Sequence, residues 1–276
     1  RKKRALRQLP GSKELDGGGT VKFDLSGPHS AGVTGSTWFM ASVHIGSGWG
    51  HVGLQRDKSS ASSLVSLQDM LVRLKADSKG KAESIVHYHH DDDKSFRGVV
   101  ANWIREQKAV DTHTGGYNPN SNAAAEVRIG MLKQKFRVVL LCATGGIAYY
   151  EQLWDVGVLY CNRVLNRFDW ATKQAPIARL TGEEVPASKY DHVFGAYCLF
   201  LIPVENRDGA FRPTSEMGIW VGIDDNCPGG HLVCPIEWDS KTGLWIVYPV
   251  VTSTTVKVYD RVFPLRMGPK AGSSVS

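Results

Sequence analysis

Val21-Lys22-Phe23-Asp24-Leu25, stopped by Gly27-Pro28, reads as a strand with an acid in its middle, and the fold is read outward from it. Residues 38–45 read as a second strand and 51–56 as a third, joined as a hairpin by Gly46-Ser47-Gly48. Leu64, Leu67, Leu71 and Leu74 then share one helical face, which predicts an amphipathic helix over 59–76. A strand over 84–89, a short helix over 99–107 and a strand over 110–114 follow. After the loop Gly115-Gly116-Tyr117-Asn118-Pro119 comes a long helix, with Ser121 or Asn120 as its N-cap and Ile129, Leu132, Phe136 and Leu140 as its core stripe. A further helix carries Ile147, Trp154, Val158 and Leu165. The order β-β-β-α-β-α-β-α-α predicts an α/β fold, a five-stranded mixed sheet flanked by helices.

From Met217 the pattern changes to short strands over 218–223, 231–237, 244–250 and 255–263, with turn residues between them, which predicts a small β-barrel or sandwich. The expected organisation is a basic arm and linker over 1–19, a core over 20–167, a linker and β-rich domain over 168–267, and a disordered tail over 268–276. The net charge of +6 arises largely from Arg1, Lys2, Lys3, Arg4 and Arg7, so the body is close to neutral. Such an arm suits phosphate or a nuclear address. With no Met before it, the arm reads as the start of a piece cut from a longer polypeptide. Five widely spaced cysteines without a CxxC pair argue against a thiolate zinc site and for an intracellular chain with reduced thiols. The longest uncharged, mostly apolar stretch, 138–150, is well short of the roughly 18–20 residues of a membrane helix, so no membrane partner is expected.

No GxSxG elbow, Walker loop or HExxH occurs, and Gly46-Ser47-Gly48-Trp49-Gly50 lacks the dinucleotide spacing, so no nucleotide cofactor is expected. Three carboxylates stand out by position. Asp24 sits mid-strand, where an unpaired acid is costly to bury. Asp91 sits where the strand 84–89 runs out, and Glu126 lies near the start of the long helix. Acids so placed can converge, and a divalent cation relieves their repulsion. Oxygen ligands without cysteine favour Mg²⁺ or Mn²⁺ over zinc. Taken singly, Glu126 also suits a helix N-terminus and Asp91 a strand-end cap. The histidines His87, His89, His90 and His113 read as a polar strand end beside these acids, a transition-metal site being the alternative.

Residues 20–267 resemble the integrase of copia-type retrotransposons, part of a Gag–integrase–polymerase polyprotein. Phe23-Asp24-Leu25-Ser26-Gly27-Pro28 is similar to the family's Asp-Leu-x-Gly-Pro. His90-Asp91-Asp92-Asp93-Lys94-Ser95-Phe96 stands where the family has Ser-Asp-Asn-Gly-x-Glu-Phe, matching only the Asp and the Phe. Tyr117-Asn118-Pro119-Asn120-Ser121-Asn122-Ala123-Ala124-Ala125-Glu126 resembles Tyr-x-Pro-x-x-Asn-Gly-x-Ala-Glu. Asn162 to Arg167, Val193-Phe194-Gly195, Ile219-Trp220-Val221-Gly222 and Asp260-Arg261-Val262-Phe263 fit its C-terminal half.

The resemblance implies an RNase H-like fold and an integrase, a polynucleotidyl transferase that joins element DNA 3′ ends to target DNA. Asp24, Asp91 and Glu126 would be its catalytic and metal-binding acids, with two Mg²⁺ or Mn²⁺ ions, Asp24 bridging both. A catalytically decayed or domesticated DNA-binding copy is the alternative, since Asp92-Asp93 replaces Asn-Gly and the extra acids could loosen the metal geometry. Lys133 and Arg137 lie seven and eleven residues after Glu126 on the same helical edge; with Arg128 they are expected to take DNA phosphates. Tyr117 and Asn118 are expected to touch a displaced base. The implied partners are element and target DNA and further copies of the chain. The implied location is the nucleus or a cytoplasmic retrotransposon particle.

Overall fold

Strand β1 (Thr20–Ser26) organises the first sheet. It pairs antiparallel with β2 (Trp38–His44) on one side and parallel with β4 (His87–His90) on the other. With β3 (Gly50–Gln55) and β5 (Val110–His113) the sheet order is β3-β2-β1-β4-β5, an RNase H-like five-stranded mixed sheet. The computed structural model describes residues 19–82, 84–114, 122–168, 174–184, 191–202 and 213–266. The basic residues of the arm, the tail beyond 266 and the loop containing Tyr117 and Asn118 lie outside the described residues.

The alternation of strand side chains divides β1 between two apolar layers. Val21 and Phe23 face α1 (Ser60–Asp77) and α2 (Val99–Glu106), packing with Met40, Leu67, Met70 and Ile104. Asp24 points the other way, toward the face whose core holds Phe39, Ala41, Ile129, Leu132 and Phe136. Helix α1 starts where its sequence predicts, with the Ser59 hydroxyl accepting from the Ser62 N–H.

The opposite face is covered by α3 (Ala123–Thr144) and α4 (Trp154–Arg167), and the apolar cluster continues through them. On the far side it meets Ile219, Val221, Cys234 and Ile236 of a second sheet. That sheet holds β6 (Tyr197–Leu201), β7 (Ser215–Asp224), β8 (Gly230–Asp239), β10 (Val251–Ser253) and β11 (Val256–Tyr259) in the order β10-β8-β7-β6-β11. β9 (Leu244–Val247) pairs with β8. Among the described residues the strands form an open antiparallel sheet with β10 and β11 at its ends, not a closed barrel. A short helix, α5 (Pro176–Thr181), precedes it. No helix of the described residues is long and apolar enough to cross a membrane.

Three sequence expectations are corrected. The strand expected from Ser84 joins the ladder only at His87, because the Val86 and His87 N–H groups both turn to the carbonyl of Gly19. Ile147 is not on a helix and is exposed: Gly145 and Gly146, both with positive φ, end α3, and α4 begins only at Trp154. The long helix takes Asn122 as its N-terminal cap residue; Asn120 and Ser121 lie outside the described residues.

The two helices approach closely at Gly157, where a Cβ would lie 2.2 Å from the Phe136 ring. Gly157→Ala is therefore expected to cost about 1–3 kcal/mol by overpacking, lowering the melting temperature by roughly 2–4 °C for each kcal/mol. An unchanged thermal melt would show that α3 and α4 can part without cost.

Candidate active site

β1 and β4 run parallel, and their last paired residues are Phe23 and His90. The residues that follow, Asp24 and Asp91, therefore leave the ladder side by side at the same end of the sheet. The third acid reaches them through α3. Asn122 sits at the helix N-cap, yet its side chain caps nothing in its own helix. Its Nδ2 donates to the carbonyl oxygen of Phe23 at 3.1 Å, and the residue is fully buried. This bond fixes the start of α3 against the backbone of β1 one residue before Asp24. Glu126 then stands, exposed, in the first turn.

The charges of the neighbouring acids act on Asp24. Asp24 is half-buried and its Oδ1 accepts the Leu25 N–H at 2.7 Å. Burial pushes its pKa up to about 6; the Leu25 hydrogen bond opposes the rise, and the negative charges of Asp91, Glu126 and Asp93 add to it. Asp91 Oδ1 accepts from the Thr114 hydroxyl at 2.9 Å, which orients the carboxylate. The two extra acids have partners of their own. Asp92 pairs with Arg97 at 2.7 Å. Asp93 Oδ1 accepts from the Ser95 N–H and hydroxyl at 2.9 and 2.7 Å, and its Oδ2 meets Lys58 Nζ at 2.5 Å.

Among the described residues, no three His, Cys, Asp or Glu side chains form a ready-made metal cage. In donor chemistry, however, the three acids fit a hard divalent cation: carboxylate oxygens, one of them on an acid destabilised by burial and like charge. The histidines next to them are engaged elsewhere. His87 Nε2 and His89 Nδ1 both meet the Thr112 hydroxyl, at 2.7 and 2.8 Å. His90 packs against Phe23 and Phe96 and bonds Asp111 at 3.0 Å. Burial, then the neighbouring Lys22, His87 and His90, drive the His89 pKa down to about 4. This is a polar strand end.

The expected phosphate ligands divide. Lys133 and Arg137 lie on the Glu126 edge of α3 with no ion pair among the described residues, Lys133 half-buried and Arg137 exposed. Lys133 stands by the loop that follows β1: the pKa of His29 is lowered by burial and then by the Lys133 charge. Arg128 is a correction. It lies two residues beyond Glu126, about 200° round the helix, and is buried against α4. Its Nη2 donates to Asn162 Oδ1 at 2.6 Å and Asn166 Oδ1 at 2.8 Å, while both asparagine amides donate to the carbonyl of Gly50. Burial lowers its pKa to about 10. Arg128 is a strut between α3, α4 and β3, out of reach of a phosphate. Sequence reasoning missed Asn122 and Thr114 as positioning residues. Asn122 was present in the quoted motif, but its contact with Phe23 spans 99 residues and has no local signal.

No protein-family model and no curated protein matches the chain. Solved structures do. A simian T-cell lymphotropic virus intasome is similar over 86% of this chain and 79% of its own, with 13% identity and a TM-score of 0.47. The catalytic core domain of BIV integrase is similar over 58% of this chain and 91% of its own, with 15% identity and a TM-score of 0.40. The HTLV-2 integrase catalytic core domain in complex with magnesium, a dimeric form, is similar over 58% and 93%, with 11% identity and a TM-score of 0.42.

The raised Asp24 pKa fixes a pH dependence. The folded state holds this proton more tightly than the unfolded chain, so ionising Asp24 costs stability as pH rises from about 4 through about 6. Asp24→Asn is expected to stabilise the metal-free protein at pH 8 by about 1 kcal/mol, the conversion of about 1.4 kcal/mol per pH unit being reduced by the open solvent face of the carboxyl. The gain should vanish below pH 4, measured by denaturant melts across pH. Equal stability of the two proteins at pH 8 would contradict the strained carboxyl.

Proposed function

We propose that the chain is an integrase-type polynucleotidyl transferase, dependent on a divalent cation, that joins the 3′ ends of element DNA to a target duplex. The observation that carries the reading is the raised pKa of Asp24 on the central strand of an RNase H-like sheet, just past its last pair with β4, with the charges of Asp91 and Glu126 acting on it. Asp24, Asp91 and Glu126 would hold Mg²⁺ or Mn²⁺, in a pair by the family resemblance. Bound there, the ions would neutralise the attacking and leaving oxygens of an in-line phosphoryl displacement. The chain's own residues do the rest. Thr114 holds Asp91 in orientation, and Asn122 holds the start of α3 and with it Glu126. Lys133 and Arg137 would take phosphates along the same helical edge and fix the register of the DNA.

A second reading, a non-catalytic DNA-binding copy, is favoured by one observation: the three acids do not form a ready-made cage. Strand transfer of a short duplex, with and without Mg²⁺, separates the two. Glu126→Gln keeps shape and removes one charge, and is expected to reduce strand transfer at least about 100-fold, comparable with loss of a major transition-state contact, with DNA affinity nearly unchanged. Lys133→Ala should instead weaken DNA binding and flatten its salt dependence by roughly one unit of slope. A parent protein inert with Mg²⁺ and Mn²⁺ but bound to DNA selects the second reading. An active parent indifferent to Glu126→Gln overturns the assignment of the acids.

A further inference from the structure

The sheet order leaves β3 as an edge strand. Its pairing with β2 sets which of its peptide groups point outward. The Trp49 carbonyl, just before the strand, faces β2 and accepts from the His44 N–H at 2.8 Å. Gly50 therefore faces away. Its N–H donates to Asn166 Oδ1 at 2.8 Å, and its carbonyl accepts from Asn162 and Asn166 Nδ2 at 2.9 and 2.7 Å. The two-residue period of a strand turns the N–H and C=O of Val52 and Leu54 the same way. Among the described residues, no other element and no side chain bonds these four groups. The strand also carries none of the usual guards of an open edge: residues 50–55 include no Lys and no Pro, and the register with β2 runs without a bulge.

This edge borders a cleft of about 580 Å³ between α1, α4 and the β7–β8 end of the second sheet, within the roughly 300–1,000 Å³ of ligand sites. Two features define what fits there. The first is amide chemistry. The Asn166 side chain both accepts from and donates to Gly50, as the peptide group of a next strand would. The line of a sixth strand thus starts on carboxamides at Gly50 and runs on along Val52 and Leu54. The second is the pair of walls. Side chains of a strand added here alternate between the two faces of the sheet. Toward α4 they meet Leu159, Leu232 and Val250; toward α1 they meet Asp69. Asp69 is held by His51 at 2.9 Å and lies 3.5 Å from Arg73 Nε, yet 44% of its side chain stays exposed. Four aspartates line the cleft against three arginines, and two of these, Arg163 and Arg167, also pair with Asp191. The acidic balance disfavours nucleic acid and suits basic side chains.

We propose that the β3 edge is a docking site for an extended peptide of a partner protein, which adds to the sheet along Val52 and Leu54 and alternates apolar with basic residues. Backbone hydrogen bonds to Val52 and Leu54 would supply the hold, and the apolar wall and Asp69 the choice of sequence. The Asn162 and Asn166 amides occupy the edge at Gly50, so the added stretch is short. The site lies two strands from β1 and its acids and stands apart from the reaction proposed above.

A fluorescein-labelled hexapeptide of alternating lysine and valine, titrated into the full chain, tests the proposal. A dissociation constant on the order of 10–100 μM is expected from so short a contact, with the glutamate–valine twin binding at least about tenfold more weakly. Amide exchange reads the place. With peptide bound, the Val52 and Leu54 N–H groups should exchange at least about tenfold more slowly, whereas the Gly50 N–H, already bonded, should change little. Methylated peptides read the backbone bonds. The N–H groups of alternate residues point to opposite sides of an added strand. Methylating all the lysine amides and methylating all the valine amides should therefore differ, one costing at least about tenfold in affinity and the other less than about twofold. Asp69→Asn should cut the preference for lysine over glutamate about two- to fivefold. No binding, binding that leaves the Val52 and Leu54 amides unprotected, equal losses from the two methylations, or a lysine preference indifferent to Asp69→Asn each overturns the proposal. Protection of the same two amides by duplex DNA also overturns it and assigns the edge to nucleic acid. A tenfold gain in peptide affinity on replacing Arg4 and Arg7 by Glu overturns it in favour of the chain's own N-terminal arm.

Discussion

The hydrogen bond from Asn122 to the carbonyl of Phe23 joins two parts of the chain 99 residues apart at the point where the acids stand. On one side is the central strand of the sheet; on the other is the first turn of a 22-residue helix. Slip the helix by one residue and Glu126 turns by about 100°, away from the strand end. The bond is made by a residue that gives up capping its own helix, and its Oδ1 finds no partner among the described residues. An unmade bond on a buried polar atom costs about 1–3 kcal/mol. Placement of α3 is thus obtained at the expense of local stability, as is usual where geometry serves a site.

The acids at this sheet end oppose one another, and the surrounding residues determine which of them remain in opposition. Asp92 and Asp93 are each taken up by a nearby cation, Arg97 and Lys58. Asp91 is held by a neutral hydroxyl, which orients it while leaving its charge in place. Asp24 has only a backbone N–H to offset burial and three neighbouring charges. The four consecutive or facing acids are therefore not equivalent. Two are structural, and two remain as unneutralised negative potential with Glu126 beside them. The Asp92-Asp93 pair, which stands where the resemblance has Asn-Gly, finds local partners, although the Asp93 charge still adds to the rise at Asp24.

Much of this was legible in the sequence, and the limits have physical causes. β1, β2, β3, α1 and the inner stripe of α3 were readable because strand and helix periodicities are local and their apolar faces point to one core. Asp24 stood out because an acid between Phe23 and Leu25 on a central strand is costly to bury unless something pairs with it. Arg128 was misread because charge type suggests phosphate, whereas the helical angle, about 200° from Glu126, puts the side chain under α4. Ile147 was misread because an apolar residue near the right spacing was assigned to a helix that two left-handed glycines had already forced apart. β6 carries a short apolar run, Tyr197-Cys198-Leu199-Phe200-Leu201, set between Gly195 and Pro203, and a run this short does not by periodicity alone tell strand from helix. Asn122 was quoted only as part of a motif, since nothing within a few residues reveals a partner on β1.

Helix α3 carries three demands at once, and they limit what its sequence can be. One arc packs Ile129, Leu132, Phe136 and Leu140 into the core; the Arg128 strut locks the same helix to Asn162 and Asn166. A second edge carries Glu126 near the acids and, further along, Lys133 and Arg137. The third holds Val127, Met131, Val138 and Leu141, exposed among the described residues. Lys or Glu on that arc would be better helix formers than Val or Gly. Val127, Val138 and Gly130 all disfavour the helix they stand in relative to such residues. The inner arc and the Arg128 strut therefore supply the stability of α3 that these outer residues do not.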